Sequence, residues 1–296
     1  MTSSTVTANG IEIAYETFGD PTKPPILLIM GLGVPLLGWE EDLCHQLACS
    51  GHLVIRFDNR DVGLSTHLHD AGASDPLAVA SGDTATAAYL IDDMADDTSG
   101  LIEALGLEAA HLVGVSMGGM IAQAATIRHP ARVRSLTSIM STTGDRSVGQ
   151  PTQEALVVLM QPLAVTREEG AERAVESFRV LGSPGFPPDE ESVRSRALRS
   201  FDRAYDPAGV SRQLAAILAS ADRTPGLREV RAPALVIHGD SDPLIDVSGG
   251  RATAAAIPGA ELEIIEGMGH DLPRGAWNRM IDRISEIIQR GELIEG

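Results

Sequence analysis

The sequence predicts an α/β chain: a mostly parallel, doubly wound sheet, opened by an antiparallel hairpin and interrupted by a helical insertion. Three observations carry this. Short apolar runs that do not alternate recur along the chain, as strands buried on both faces require. Stretches with helical spacing separate most of them, which implies right-handed crossovers and helices on both sides of a sheet. Between Met140 and Ala234 the pattern changes to helix-like stretches alone.

In chain order, Thr5 to Tyr15 holds two alternating stretches around Asn9-Gly10, the strongest short-range hairpin signal. The buried strands follow at Ile26–Met30, Leu53–Phe57, His111–Val115, Leu136–Met140, Ala234–His238 and Leu262–Ile265. Helices are expected at Trp39–Ala48, Ala88–Leu105, Gly119–Arg128 and Trp277–Arg290. Gln153–Leu163 and Glu168–Leu181, broken at Gly182-Ser183-Pro184-Gly185, belong to the insertion. The domain reading is therefore a core of residues 1–141 and 224–296, with residues 142–223 as a helical cap.

The 296 residues carry a formal charge of −18, with 43% hydrophobic and 22% charged side chains. Such a composition suits a globular core, and the negative charge repels polyanions, so nucleic acid is not an expected partner. No apolar segment reaches the length of a bilayer span and no leader-like segment opens the chain, so a cytoplasmic enzyme is expected. The two cysteines, Cys44 and Cys49, fall on different faces of one predicted helix and read as small packed side chains rather than a disulfide. No spacing suggests a structural zinc.

The chemistry concentrates in Gly114-Val115-Ser116-Met117-Gly118, which ends an apolar strand and opens a helix. A sharp strand-to-helix turn puts Ser116 at its apex, and glycines two residues away on each side remove Cβ atoms that would collide. Serine needs a histidine base steadied by a carboxylate, here in the chain order Ser, acid, His. Two loops provide them. His238-Gly239-Asp240-Ser241-Asp242-Pro243 follows one strand, and Gly267-Met268-Gly269-His270 follows the next. Parallel strands bring both loops to the sheet edge where Ser116 lies.

Over nearly its whole length the chain resembles the α/β-hydrolase family. More narrowly it resembles the cap-bearing bacterial esterases that include aclacinomycin methylesterase. The likeness rests on Leu28-Ile29-Met30-Gly31-Leu32-Gly33, Gly38-Trp39, Ile55 through Ser65 and Gly267-Met268-Gly269-His270. It implies the α/β-hydrolase fold and ester hydrolysis through an acyl-enzyme, with Ser116 as nucleophile, His270 as base and no cofactor or metal. The triad acid matches Asp242, with Asp240 as the other candidate; Pro243 fixes the backbone after Asp242, whereas Asp240 is placed to cap the turn. The oxyanion donors match the backbone N–H groups of Leu32 and Met117, so Met30, where members usually carry His, alters packing and not donors. The substrate implied is a small to medium lipophilic ester. Thioesterase, lactonase, carbon–carbon hydrolase and cofactor-free perhydrolase chemistry use the same triad, and a non-catalytic binding protein on this fold is the rival outside enzymes.

Asp58, Arg60 and Asp61 read as a turn held by Arg–carboxylate pairs, with a substrate clamp as the alternative. His67 and His69 offer two ligands beside Asp70, too few for a metal site on sequence alone. His45, His52, His111, His129 and His238, like His67 and His69, lack a motif that pairs them with Ser116. Leu156–Met160 and Leu163 serve either a pocket lining or helix packing.

Overall fold

The computed structural model describes residues 3–162 and 164–294. In chain order its elements are β1 (Ser4–Ala8), β2 (Ile11–Phe18), β3 (Pro25–Ile29), α1 (Glu41–Cys49), β4 (Leu53–Phe57), α2 (Pro76–Ala80), α3 (Ile91–Ala104), β5 (Ala110–Val115), α4 (Met117–Arg128), β6 (Val133–Ile139), α5 (Gln153–Leu159), α6 (Arg167–Leu181), α7 (Glu190–Arg203), α8 (Pro207–Ala219), α9 (Thr224–Leu227), β7 (Ala234–Gly239), α10 (Val247–Ala256), β8 (Glu261–Ile265) and α11 (Trp277–Ile294). The eight strands form one sheet in the order β1-β2-β4-β3-β5-β6-β7-β8. Strands β3 to β8 run parallel, while β1 and β2 pair antiparallel. The hairpin turn takes positive φ at Asn9 (48°) and Gly10 (80°), the geometry its sequence favours.

Two apolar layers cover the sheet. On one face Met94 and Leu101 of α3, Ile121 of α4 and Ala256 of α10 pack on Leu27, Leu112 and Leu136. On the other, Leu43 and Leu47 of α1 and Ile284, Ile287 and Ile288 of α11 pack on Ile26, Val113 and Ile237. Each such fully buried aliphatic side chain contributes about 1.5–3 kcal/mol of transfer free energy. The α4 helix is buried along most of its length, so it shows no polar face.

Most predicted elements are present with shifted ends. Trp39 precedes α1, and Glu41 and Asp42 open the helix, where acidic side chains favour the positive end of its dipole. One expectation is corrected: β8 is an edge strand with a partly exposed pattern, not a strand buried on both faces. Helix α10, between β7 and β8, was not read because Gly249, Gly250 and a run of alanines blur its periodicity. Cys44 and Cys49 both lie in α1, one buried and one exposed, and both are free. Burial pushes the Cys44 thiol up to about 12.

The β6–β7 connection contains helices α5 to α9 and no strand among the described residues. The Gly182–Gly185 break ends α6 as expected. Helix α5 buries Ala155 and exposes Leu156 and Val157, and its C-cap Met160 is exposed too; Leu163 lies outside the described residues.

Ion pairs tie this connection to the loop after β4. Asp58 accepts from Arg203 of α7 at 2.8 Å, and also from the N–H groups of Leu36 and Leu64. Asp61 takes a two-pronged contact from Arg212 of α8 (2.9 and 2.7 Å), and Arg60 makes the same kind of contact with Asp97 of α3 (2.5 and 2.6 Å). The charged turn is thus held by arginine and carboxylate partners, three of them brought from distant helices. Removing one partner of such a buried pair costs about 3–5 kcal/mol.

Candidate active site

Ser116 joins β5 to α4 with φ 56° and ψ −119°, a conformation that side-chain-bearing residues rarely adopt. Its surroundings hold it there. The Ser116 N–H donates to Ile139 O at 2.9 Å, and its carbonyl accepts from the Gly119 and Met120 N–H groups and from Ser141 Oγ. A Cβ at Gly114 would stand 2.1 Å from Gly118 O, and one at Gly118 would stand 2.1 Å from Ile29 O. Both contacts are with backbone, so no rotamer change relieves them. These are the collisions that the two glycines avoid.

His270 Nε2 lies 3.0 Å from Ser116 Oγ, and His270 Nδ1 lies 2.7 Å from Asp242 Oδ2. The three side chains form one hydrogen-bonded chain drawn from the loops after β5, β7 and β8. Asp242 Oδ1 accepts from the N–H groups of Leu244 and Ile245, both at 2.9 Å, leaving Oδ2 for the imidazole. Burial pushes the Asp242 carboxyl upward, but the His270 charge and hydrogen bonds from His238, His270 and Ile245 outweigh it and hold the group well below the usual carboxylate range. Asp240 is placed elsewhere: its Oδ1 accepts from Gly267 N–H at 2.7 Å and from Ser241 Oγ.

The loop after β3 passes directly beside the serine, since a Cβ at Gly31 would be 3.3 Å from Ser116 Cβ. Met117 is the first residue of α4, so its N–H has no acceptor within the helix. The neighbours of Leu32 are tied inside the protein, Gly33 N–H to Gln213 Oε1 and Val34 N–H to Gly31 O. Among the described residues the N–H groups of Leu32 and Met117 themselves have no protein acceptor.

Two features were missed by sequence reasoning. His238, the last residue but one of β7, is fully buried, with Nε2 2.8 Å from Ile245 O and 3.5 Å from Asp242 Oδ2. Its spacing of four from Asp242 was the available signal. The second is the end of α6. His270 N–H donates to Leu181 O at 2.6 Å, Gly185 N–H to Gly267 O at 2.8 Å and Gly269 N–H to Ser183 Oγ at 2.9 Å, while Ser183 Oγ donates to Asp271. Nothing local in the sequence joins two segments so far apart.

Burial raises the Asp271 carboxyl, against the opposing Ser183 hydrogen bonds and the charges of His270 and Arg196. The folded chain then keeps this proton to higher pH than the unfolded chain does, so stability falls as pH rises through the native value and the deficit persists above it. Asp271→Asn retains an acceptor for Ser183 and removes the titration. The expected outcome in calorimetry is a higher Tm near neutral pH, with the gain fading as pH falls through the native value toward the ordinary aspartate range.

A family profile described as the α/β hydrolase fold matches residues 24–183. The rhodomycin D methylesterase DauP of Streptomyces sp. strain C5 is 31% identical over 92% of this chain and 93% of its own. The 3-oxoadipate enol-lactonase 2 of Acinetobacter baylyi is 27% identical over 88% of each chain. Among solved structures, the enol-lactonase from Burkholderia xenovorans LB400 superposes with a TM-score of 0.75 at 23% identity, covering 97% of this chain and 100% of that one. The chain belongs to the α/β hydrolase family. It is a hydrolase of the carboxylesterase-like kind, and among its described residues no helix is long and apolar enough to cross a membrane.

Proposed function

We propose that this hydrolase cleaves carboxylic esters through an acyl-enzyme formed on Ser116. The observation that carries the proposal is the unbroken hydrogen-bonded chain from Ser116 Oγ through the His270 ring to the buried Asp242. In this reading Ser116 Oγ attacks the ester carbonyl as His270 Nε2 takes its proton. Asp242 holds Nδ1 protonated and supports the imidazolium. The N–H groups of Leu32 and Met117 receive the oxyanion, the departing alkoxide takes the proton from His270, and an acyl group remains on Ser116. Water then attacks the acyl carbon with His270 as base, releasing the acid and restoring the serine.

Residues 142–223 serve as the cap over this site, with the exposed apolar face of α5 offering acyl or alcohol contacts. The substrate class is a small to medium lipophilic ester, and the methylesterase DauP, at 31% identity, supports a small alcohol portion. A lactone is the second reading, favoured by the relative named for enol-lactone cleavage. It needs the same triad, with the alcohol remaining attached to the acyl group.

A fluorophosphonate probe, followed by peptide mapping, is expected to leave one adduct per chain, on Ser116, and none in Ser116→Ala. Nitrophenyl esters of increasing chain length beside methyl esters and lactones then rank the acyl groups. Folded protein that takes no adduct, or keeps its ester turnover as Ser116→Ala, overturns the proposal.

A further inference from the structure

The loop after β4 and the first residue of the α8 cap meet in a cluster that the ester chemistry does not use. Asp206, the N-cap of α8, sets Oδ2 2.9 Å from His67 Nδ1 and 3.7 Å from His69 Nδ1. The three ligand atoms lie within 4.8 Å of one another. In the sequence the two histidines stand without a third ligand; the fold brings Asp206 to them from far along the chain.

The second nitrogen of His67 bears on what the cluster binds. Its Nε2 lies 3.0 Å from Gly63 O, a backbone carbonyl that only accepts, so the Nε2 proton is committed there. Nδ1 is then the ring nitrogen turned to Asp206 Oδ2, at a spacing where an ion can take the place of a shared proton. Metal-binding histidines show this same support, one nitrogen on the ion and the other donating to a carbonyl. The charge balance also suits a cation. Asp61 and Asp206 share the single positive charge of Arg212, which contacts both, so one negative charge is left over.

We propose that His67, His69 and Asp206 form a site for a borderline divalent ion of the Zn²⁺ type. Two imidazoles and one carboxylate are the donors such an ion prefers, whereas calcium and magnesium take oxygen. Ligand bonds of about 2.0–2.2 Å place ligand atoms roughly 3–3.5 Å apart, close to the two separations to Asp206. The exposed His69 ring, now stacked on His67 with centroids 5.5 Å apart, closes the remaining gap by rotating about its side-chain bonds. Water completes the coordination from the solvent side.

The ion would join the core to α8 at the point where the insertion returns. Further along α8, Gln213 accepts from Gly33 N–H, and Val210 packs on Gly33, one residue beyond Leu32. Occupancy therefore stiffens the helix that braces the loop after β3. None of the three ligands touches Ser116, Asp242 or His270, so the proton transfers of the triad do not pass through the ion.

The test uses the full chain, free of any histidine tag and stripped with a chelator, titrated with Zn²⁺ in a calorimeter and with Co²⁺ in an absorption spectrometer. One equivalent is expected to bind, with visible Co²⁺ bands and a Tm raised by several degrees at saturation. His69→Ala, at an exposed position that leaves the fold intact, is expected to lose affinity by more than about 100-fold, and Asp206→Asn to weaken it further than His45→Ala does. Binding that is equally strong in His69→Ala, or no saturable equivalent at all, overturns the site. Ester activity that survives chelation separates this result from any failure of the triad.

Discussion

Asp242→Asn is expected to lower kcat about 10⁴-fold, the loss seen when the corresponding carboxylate of a serine protease is made an amide. The local bonding gives the reason. Oδ1 of residue 242 accepts from the Leu244 and Ile245 N–H groups, and an asparagine keeps that pair by presenting its carbonyl oxygen there. Its NH₂ then faces His270 Nδ1, which becomes the acceptor and passes the ring proton to Nε2. A protonated Nε2 cannot take the proton of Ser116, 3.0 Å away. Asp240→Asn preserves the acceptor that Gly267 N–H uses and is expected to keep turnover within about threefold, since surface changes away from such networks cost little. Equal losses in the two variants, with both folded by circular dichroism, would reassign the acid. Asp242 also ties stability to pH. Its native carboxyl is held below the unfolded value, so its contribution is present at neutral pH and is lost as pH falls through the native value. The Asn variant is expected to lose that acid-limb sensitivity.

The strand-to-helix turn was legible because its demands are local: two glycines against backbone carbonyls and a serine between them. The two partner loops were legible for a related reason. Parallel strands deliver their C-terminal ends to one edge, so chain order alone brings Asp242 and His270 toward Ser116. The sequence separated Asp242 from Asp240 only modestly, whereas the structure puts just one of them against the histidine. What stayed hidden was set by tertiary contact. Arg203 and Arg212 reach across to Asp58 and Asp61 from the β6–β7 connection, a pairing that no local sequence pattern announces. Helix α7 carries so many charged residues that its one buried apolar residue, Val193, gives no periodic signal. His67 and His69 lacked a third group until the fold supplied Asp206.

Gly269→Ala is expected to cut kcat about 100-fold with little change in KM, because the substitution displaces His270 and not the substrate pocket. The added Cβ would stand 2.5 Å from Gly182 O and 2.6 Å from Leu181 O. Both are backbone atoms, so the loop after β8 and the end of α6 must part. His270 N–H is bonded to that same Leu181 carbonyl, so the parting is transmitted to the ring within one residue. A shift of about 1 Å at a reacting group suffices for a loss of this size. Ser183→Ala tests the same coupling without overpacking. It removes the acceptor of Gly269 N–H and the donor to Asp271, and is expected to lower kcat by about tenfold, with Ser183→Thr recovering most of it. Fluorophosphonate labelling of Ser116, which uses the same base, is expected to slow in proportion, a response that general destabilisation at a temperature well below Tm does not produce. Unchanged kcat and labelling in a folded Ser183→Ala would show that the α6 end merely covers the loop. If the coupling holds, the segment from Leu181 to Gly185 cannot swing aside to admit substrate without disarming His270. Any opening of the β6–β7 connection is then confined to the parts that do not touch this loop, such as α5 with its exposed Leu156 and Val157 and its C-cap Met160.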